Sequence, residues 1–255
     1  MICSDGCKLN SPAAFPVSVP AITLPCSHSL AKEAIVRDTR PSPRLKDRLL
    51  RNWGDLTAVE GNMVAAGGTS LRTVMVVSAA AGEGRSSAAA CLALALCATG
   101  RTLLIDGDLR QPDLSNRLAV PGAPGLSDAV LDGLEVASLQ QPVRDADNLY
   151  ILPAGQRQVG GAMVFRSAAF VRLMAALRQD WDYVVCDTPP FLTDSDASLM
   201  AAQFDGVVLV LSCGGSRWQV ASTVAERLDA AGGRLIGAVL NRRRYYIPKV
   251  VYRWL

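Results

Sequence analysis

Histidine is almost missing from this chain, with His28 alone among 255 residues. A nucleophile-activating triad and a histidine-based zinc site each need an imidazole in the folded core, so both mechanisms drop out. Lysine is absent from the whole interval between Lys46 and Lys249, which leaves any phosphate-binding loop there without its usual ammonium. Long apolar runs are missing too. The longest uninterrupted one, Ala88 to Thr99, falls short of the roughly 20 residues that span a bilayer. No Lys or Arg precedes Lys8, and Pro12, Pro16, Pro20 and Pro25 interrupt the apolar start, so no signal peptide is expected and the address is cytoplasmic. A net charge of +3 is too small to announce a nucleic-acid partner, and none is expected. The seven cysteines follow no disulfide framework, and Cys91, Cys97, Cys186 and Cys213 sit in apolar runs where a thiol behaves as a small hydrophobe. Cys3, Cys7, Cys26 and His28 match no common zinc-finger spacing and read as unpaired leader residues.

What is present describes one domain with a large core. Hydrophobic residues make up 50% of the chain and charged residues 19%, enough apolar surface to offset chain entropy. Residues 1–44, rich in Pro, Ser and Ala, read as a flexible leader. Residues 45–70 read as a helix (Leu45 to Val59) and a connection, residues 71–241 as the folded domain, and residues 242–255 as a basic, tyrosine-bearing tail. Within the domain, short β-branched runs alternate with helical stretches. Strands are expected at Thr73–Ser78, Thr102–Asp106, Leu149–Leu152, Tyr183–Asp187, Val207–Ser212 and Leu235–Leu240. Helices are expected from the glycine loop to Gly100, and near Leu126–Leu131, Ala168–Leu177, Ala197–Ala202 and Val220–Ala231. Such alternation predicts a three-layer α/β fold, a mostly parallel central sheet with helices on both faces. Ligands then bind beyond the carboxyl ends of the strands, so the polar residues at those ends carry the functional information.

Three strand ends carry such residues. Ala79-Ala-Ala-Gly82-Glu83-Gly84-Arg85-Ser86-Ser87 follows the first strand and matches G-x-x-x-x-G-K-[ST] except at Ala79 and Arg85. Glycines let successive N–H groups face one centre, the helix N-terminus adds positive potential for phosphate, and Ser86 is placed to ligate Mg²⁺. A plain glycine turn is the simpler alternative on this segment alone. Leu103-Leu-Ile-Asp106-Gly-Asp108-Leu-Arg110-Gln-Pro112 sets two acids two residues apart at a strand end. One is fit to act as general base and the other to orient water around a metal, with Arg110 pairing to hold them; the competing reading is an Asp-Gly turn with a surface ion pair. The strand Tyr183–Asp187 also ends in acid, and Asp187 has the position of a Walker B aspartate holding a metal-bound water. Asn241, ending the last strand, is either a reader of an adenine edge or a turn residue.

The order of these motifs resembles the bacterial tyrosine-kinase family of capsular and exopolysaccharide synthesis, a branch of the deviant-Walker P-loop ATPases that includes the Min and Par positioning proteins. The likeness covers about residues 71 to 245. It rests on Asp106-Gly-Asp108-Leu-Arg110-Gln-Pro112, Gly125-Leu-Ser-Asp128, Leu152-Pro-Ala-Gly155, Asp187-Thr-Pro-Pro190 with Asp194 or Asp196 after it, and Gly237-Ala-Val-Leu-Asn241. The resemblance implies ATP and Mg²⁺ as ligands. It assigns Gly82, Glu83, Gly84, Arg85, Ser86, Ser87, Arg110 and Asn241 to the nucleotide, Ser86, Asp106 and Asp187 to the metal, and Asp106, Asp108 and Arg85 to the transfer of the γ-phosphate to tyrosine. It also implies stimulation by a membrane-spanning polysaccharide co-polymerase, self-association, and at most peripheral contact with the inner face of the membrane.

The chain departs from the family at three places. Arg85 stands where the family has lysine; a bulky planar fork there is expected to spare nucleotide binding more than placement of the γ-phosphate. The Glu-x-x-Arg-x-x-Arg subunit-contact helix is not recognisable, since Glu60 is followed by Met63 and Ala66. The tyrosine cluster is reduced to Tyr245, Tyr246 and Tyr252 in a tail that offers tyrosine to a neighbouring active site, lies on anionic lipid, or is simply solvated. Two other functions therefore stand beside the kinase: a silent nucleotide-binding regulatory subunit, for which Arg85 speaks, and a Min- or Par-like positioning ATPase, against which Asp108, Arg110 and Pro112 speak.

Overall fold

A computed structural model describes residues 21–22 and 71–241, apart from residues 157–159 and 214–216. Eight strands are numbered in chain order: β1 (Ala21–Ile22), β2 (Thr73–Ser78), β3 (Thr102–Asp106), β4 (Gln141–Pro142), β5 (Leu149–Leu152), β6 (Tyr183–Asp187), β7 (Gly206–Ser212) and β8 (Leu235–Asn241). They form one sheet in the order β1-β8-β7-β2-β6-β3-β5-β4. Every pairing is parallel except β4 with β5. The helices are α1 (Arg85–Leu96), α2 (Leu114–Leu118), α3 (Leu126–Asp132), α4 (Val136–Leu139), α5 (Gly161–Phe165), α6 (Ala168–Asp180), α7 (Asp196–Met200) and α8 (Trp218–Ala230).

The central strands β2, β3, β6 and β7 are near-continuous Val, Leu and Ile, as strands covered on both faces must be. Because side chains alternate along a strand, each strand feeds two cores. Met75, Val77, Leu103, Ile105, Val184, Cys186 and Leu209 face one layer, with Phe170, Met174, Ala221, Val224 and Leu228 of α6 and α8. Val74, Val76, Leu104, Val185, Val208 and Val210 face the other, with α1 and with Leu114 and Leu118 of α2. Helix α1 is an Ala/Leu segment with eight of its twelve residues buried, so it binds the sheet through good helix formers without a strongly polar face.

The parity of β3 and β6 positions the acids. Asp106 follows Leu104 by two residues and Asp187 follows Val185 by two, so both carboxylates emerge on the α1 face. The register sets Asp106 directly beside Asp187 and Val76 beside Asp187. Gly107 then donates to the Asp187 carbonyl (2.8 Å). A Cβ at Gly107 would lie 2.6 Å from that oxygen and 2.9 Å from Cys186 Sγ, so the residue between the two acids of β3 has to be glycine for the strand tips to close.

Ala21 and Ile22 fall inside the stretch expected to be a flexible leader, yet they extend the sheet edge by pairing with Ala238 and Val239 of β8. The remaining leader, the expected helix at 45–59 and the tail at 242–255 lie outside the described residues. The helix expected to reach Gly100 ends at Leu96. Its last turns close through Thr99 and Gly100 N–H groups on the Leu96 carbonyl. The short elements α2, α4, α5 and β4 had no expected counterpart, being five residues or fewer and too short to show a period.

Candidate functional site

The loop between β2 and α1 curls through two glycines with positive φ, Gly82 (+80°) and Gly84 (+91°). Gly84 caps α1, so Arg85, Ser86 and Ser87 are its first three residues, whose N–H groups have no partner within the helix. Asn241, at the tip of β8, holds the loop from above: its amide Nδ2 donates to the Glu83 carbonyl at 2.8 Å. A Cβ at Gly84 would fall 1.9 Å from the same nitrogen. The Asn241 side chain thus braces the loop backbone. The Glu83 carboxylate turns back to accept from the Ala80 N–H (3.0 Å). Behind the loop, Thr188 donates to the Val76 carbonyl (2.9 Å), and Phe191 N–H donates to the Ser78 carbonyl (2.8 Å). The Asp187-Thr-Pro-Pro190 segment is thereby laid along the start of the loop.

Three acids meet at this loop. Arg85 donates through Nε to Asp187 Oδ1 (2.8 Å) and through Nη2 to Asp108 Oδ2 (2.9 Å). The three side chains are 10%, 2% and 7% exposed, so this is a buried charge bridge. The Ser86 hydroxyl helps to offset the burial of the Asp187 carboxyl. Asp108 Oδ1 accepts from the Gln111 N–H (3.0 Å), and Asp106 Oδ2 accepts from the Leu114 N–H at the start of α2 (3.2 Å). Asp106 Oδ1 is buried with no hydrogen-bond partner among the described residues.

Burial, then the neighbouring Asp187 charge, pushes the Asp106 pKa from 3.8 up to about 8. Burial also raises Asp187, against the pull of Arg85 and Ser86. The Cys186 thiol beneath them is raised well above its ordinary range by burial and by the same two acids.

Arg110 is placed differently from its expected role. It does not hold Asp106 or Asp108; its Nε lies 2.9 Å from Asp194 and 3.6 Å from Asp196. Asp108 is instead paired by Arg85, because the arginine fork on α1 is long enough to reach across from β6 to the turn after β3. Asp196 is 2% exposed, and its pKa is raised by burial and by Asp194, with Arg110 opposing. It packs so closely on Gly161 that a Cβ there would lie 2.1 Å from its Oδ2. Further from the loop, Asp128 accepts from the Gly125 and Gln156 N–H groups (2.8 and 3.1 Å), which joins the Gly125-Leu-Ser-Asp128 and Leu152-Pro-Ala-Gly155 segments. Two contributors were not singled out in the sequence. Gly107 is legible only once β3 and β6 are known to be neighbours, and Arg117, which donates to Ser87 Oγ (3.3 Å), lies on a helix too short to be seen.

The donors around this point are hydroxyl and carboxylate oxygens, a set suited to a hard divalent cation. Asp108 and Asp187 share one guanidinium, and Asp106 Oδ1 is an orphaned oxygen; both features fit Mg²⁺. Among the described residues no three His, Cys, Asp or Glu side chains form a ready-made cage. That matches an ion which takes one or two carboxylates and completes its shell with phosphate and water. Among the described residues no helix is long and apolar enough to cross a membrane.

A family model described as ParA, NUBPL iron-transfer P-loop NTPase, matches residues 70–251. The tyrosine-protein kinase YwqD of Bacillus subtilis is 32% identical over 177 residues, covering 68% of this chain and 73% of YwqD. The succinoglycan biosynthesis transport protein ExoP of Rhizobium meliloti is 30% identical over 181 residues, covering 69% of this chain but 23% of ExoP. The crystal structure of the VpsO kinase domain superposes with a TM-score of 0.71 at 31% identity, covering 78% of this chain and 98% of that domain.

Proposed function

This chain belongs to the ParA-type P-loop NTPases, in their bacterial tyrosine-kinase branch, and we propose that it binds ATP with Mg²⁺ and transfers the γ-phosphate to tyrosine in exopolysaccharide or capsule synthesis. One observation carries the reading: a glycine loop at a helix N-terminus faces three buried acids, of which Asp106 has a carboxyl oxygen with no hydrogen-bond partner among the described residues.

In this reading the loop N–H groups from Gly82 to Ser87 bind and orient the phosphates, with the α1 dipole behind them. Ser86 and Asp187 hold the Mg²⁺. Bound Mg²⁺ supplies neutralisation of charge on the phosphate oxygens. Asp106 takes the phenolic proton at Oδ1 only in its deprotonated form, which burial and the Asp187 charge make available toward pH 8 and above. Asp108 keeps Arg85 in place, and Arg85 exchanges carboxylate partners for phosphate as the nucleotide arrives. Asn241 and Glu83 keep the loop curled. Arg110, fixed by Asp194 and Asp196, positions the segment after β6.

The polysaccharide context is supported by ExoP, a succinoglycan biosynthesis transport protein of which the matching region is under a quarter. A separate membrane-spanning co-polymerase is the corresponding partner here, engaging this chain at the inner face of the membrane. The tyrosines proposed as acceptors, Tyr245, Tyr246 and Tyr252, lie outside the described residues.

Arg85 favours one second reading. One of its two short bonds occupies Asp187, an acid that the metal would use, as in a subunit that binds nucleotide and signals its occupancy without transferring phosphate. Purified protein incubated with γ-labelled ATP, followed by phosphoamino-acid analysis, separates the two. The kinase yields phosphotyrosine that Asp106→Ala abolishes; the regulatory subunit binds nucleotide and stays unlabelled.

A further inference from the structure

The charges described so far gather at one flank of the loop. Arg85, the first residue of α1, points to Asp108 and Asp187, which marks that flank as the end where the metal and the transferred phosphate belong. Each residue turns a helix by about 100°, so Ser87 lies about 200° round α1 from Arg85, on the opposite flank. A polyphosphate laid across the helix end from the acids therefore brings its nucleoside end past Ser87.

A cation already stands there. Arg117 donates through Nη1 to Ser87 Oγ at 3.3 Å, and its side chain is 44% exposed. Its remaining nitrogens are held by Asp113, one turn earlier. The helix that carries it, α2, is pinned to the site at its start, because Leu114 N–H donates to Asp106. Leu114 and Leu118 bury their side chains under α1, so the position of Arg117 beside the loop is fixed by packing.

We infer that Arg117 is a further nucleotide-binding residue, pairing with the phosphate nearest the nucleoside while Arg85 and the acids serve the far end. The inference rests on the nucleotide-binding reading above and adds a recognition element to it. A planar guanidinium gives two parallel N–H donors to a phosphate; because Nε and Nη2 pair with Asp113 and Nη1 with Ser87, a phosphate engages Arg117 by replacing one of these contacts, the 3.3 Å one to Ser87 being the weaker. Arg117 thus favours ligands long enough to place a phosphate at the Ser87 flank while the far end is held beside the acids.

The test is calorimetric titration of the full chain with ADP and with inorganic pyrophosphate, each with Mg²⁺, for the wild type, Arg117→Ala, Arg117→Lys and Asp113→Asn. Thermal unfolding of each variant is recorded alongside. Arg117→Ala is expected to weaken ADP about tenfold and to leave pyrophosphate binding within about twofold of wild type; Arg117→Lys recovers part of the loss. Asp113→Asn, which loosens the competing ion pair, leaves ADP binding equal or tighter. Unchanged ADP binding in Arg117→Ala overturns the inference. So does an equal loss for pyrophosphate, which would mean a general field effect, or a matching loss in Asp113→Asn, which would mean that Arg117 acts only through α2. Wild-type protein that binds pyrophosphate but not ADP overturns the inference too, and wild-type protein that binds neither removes the nucleotide reading beneath it.

Discussion

Asp106 and Arg85 carry opposite burdens at the tips of β3 and α1. Asp106 keeps its proton in the folded state up to about pH 8, whereas the unfolded chain releases it near 3.8. Within that window the native state binds more protons, so this group stabilises the fold below the lower value and its contribution is lost as pH rises through the upper one. Asp187, also raised, acts in the same sense. Asp106→Asn keeps the shape without the charge; the expected result is a gain on the order of 2 kcal/mol at pH 8 and a flatter dependence of melting temperature on pH between 5 and 8, measured by thermal unfolding. Arg85→Ala is expected to do the reverse, because it strips a buried partner from Asp108 and Asp187: a loss of about 3 kcal/mol at pH 7.5, shrinking as the pH falls and the acids protonate. Arg85→Lys, which restores the slender ammonium, is expected to raise tyrosine transfer several-fold in the labelled-ATP assay if the arginine fork is what holds activity down. Arg85 stood out in the sequence because it breaks a motif. Its bridge to two acids was not legible there, since Asp108 and Asp187 are far apart along the chain and only the β3–β6 register brings them to one side of α1. Arg110 was misplaced for the same reason: its partners, Asp194 and Asp196, come from the segment after β6.

Among the elements, the glycine loop is the most exacting. Gly82 and Gly84 both have positive φ, but nothing lies within 4 Å of a Cβ at Gly82, while one at Gly84 would overlap the Asn241 amide. Gly82→Ala is therefore expected to cost about 1 kcal/mol. Gly84→Ala carries the same backbone penalty and also forces Asn241 away from the Glu83 carbonyl, so it is expected to cost at least twice as much and to abolish nucleotide binding. Denaturant unfolding and calorimetry on the pair check both statements. Strands were read well from sequence: β2, β3, β5 and β6 have the expected bounds, because buried parallel strands are short β-branched runs punctuated by glycine and acid. Helices α1, α3, α6, α7 and α8 were found with ends shifted by a few residues. The short elements α2, α4, α5 and β4 escaped, and with α2 went the surroundings of Arg117. Element pairing is likewise beyond composition: that β8 lies beside β7 and delivers Asn241 onto the loop follows from the sheet order.

At the scale of the whole molecule, the order β8-β7-β2-β6-β3 sets the loop of β2 between the acid-bearing tips of β6 and β3 on one side and Asn241 on the other. The site is thus a property of the sheet, assembled from four strand ends. The fold class and the identity of the acids were legible in the chain because motif order and strand alternation are local signals; which guanidinium meets which carboxylate was not. If the proposed co-polymerase partner engages this chain, transfer is expected to rise when its cytoplasmic segment is added to the assay, in proportion to complex formed, with no change in the absence of Mg²⁺. The most direct measurement is a calorimetric titration of the purified chain with Mg-ATP, beside Ser86→Ala and Asp187→Asn. One nucleotide bound per chain, with binding weakened at least tenfold in both variants when Mg²⁺ is present, is the result this account requires. Absence of heat on titrating the folded wild type, or variants that bind as tightly as it does, would contradict it.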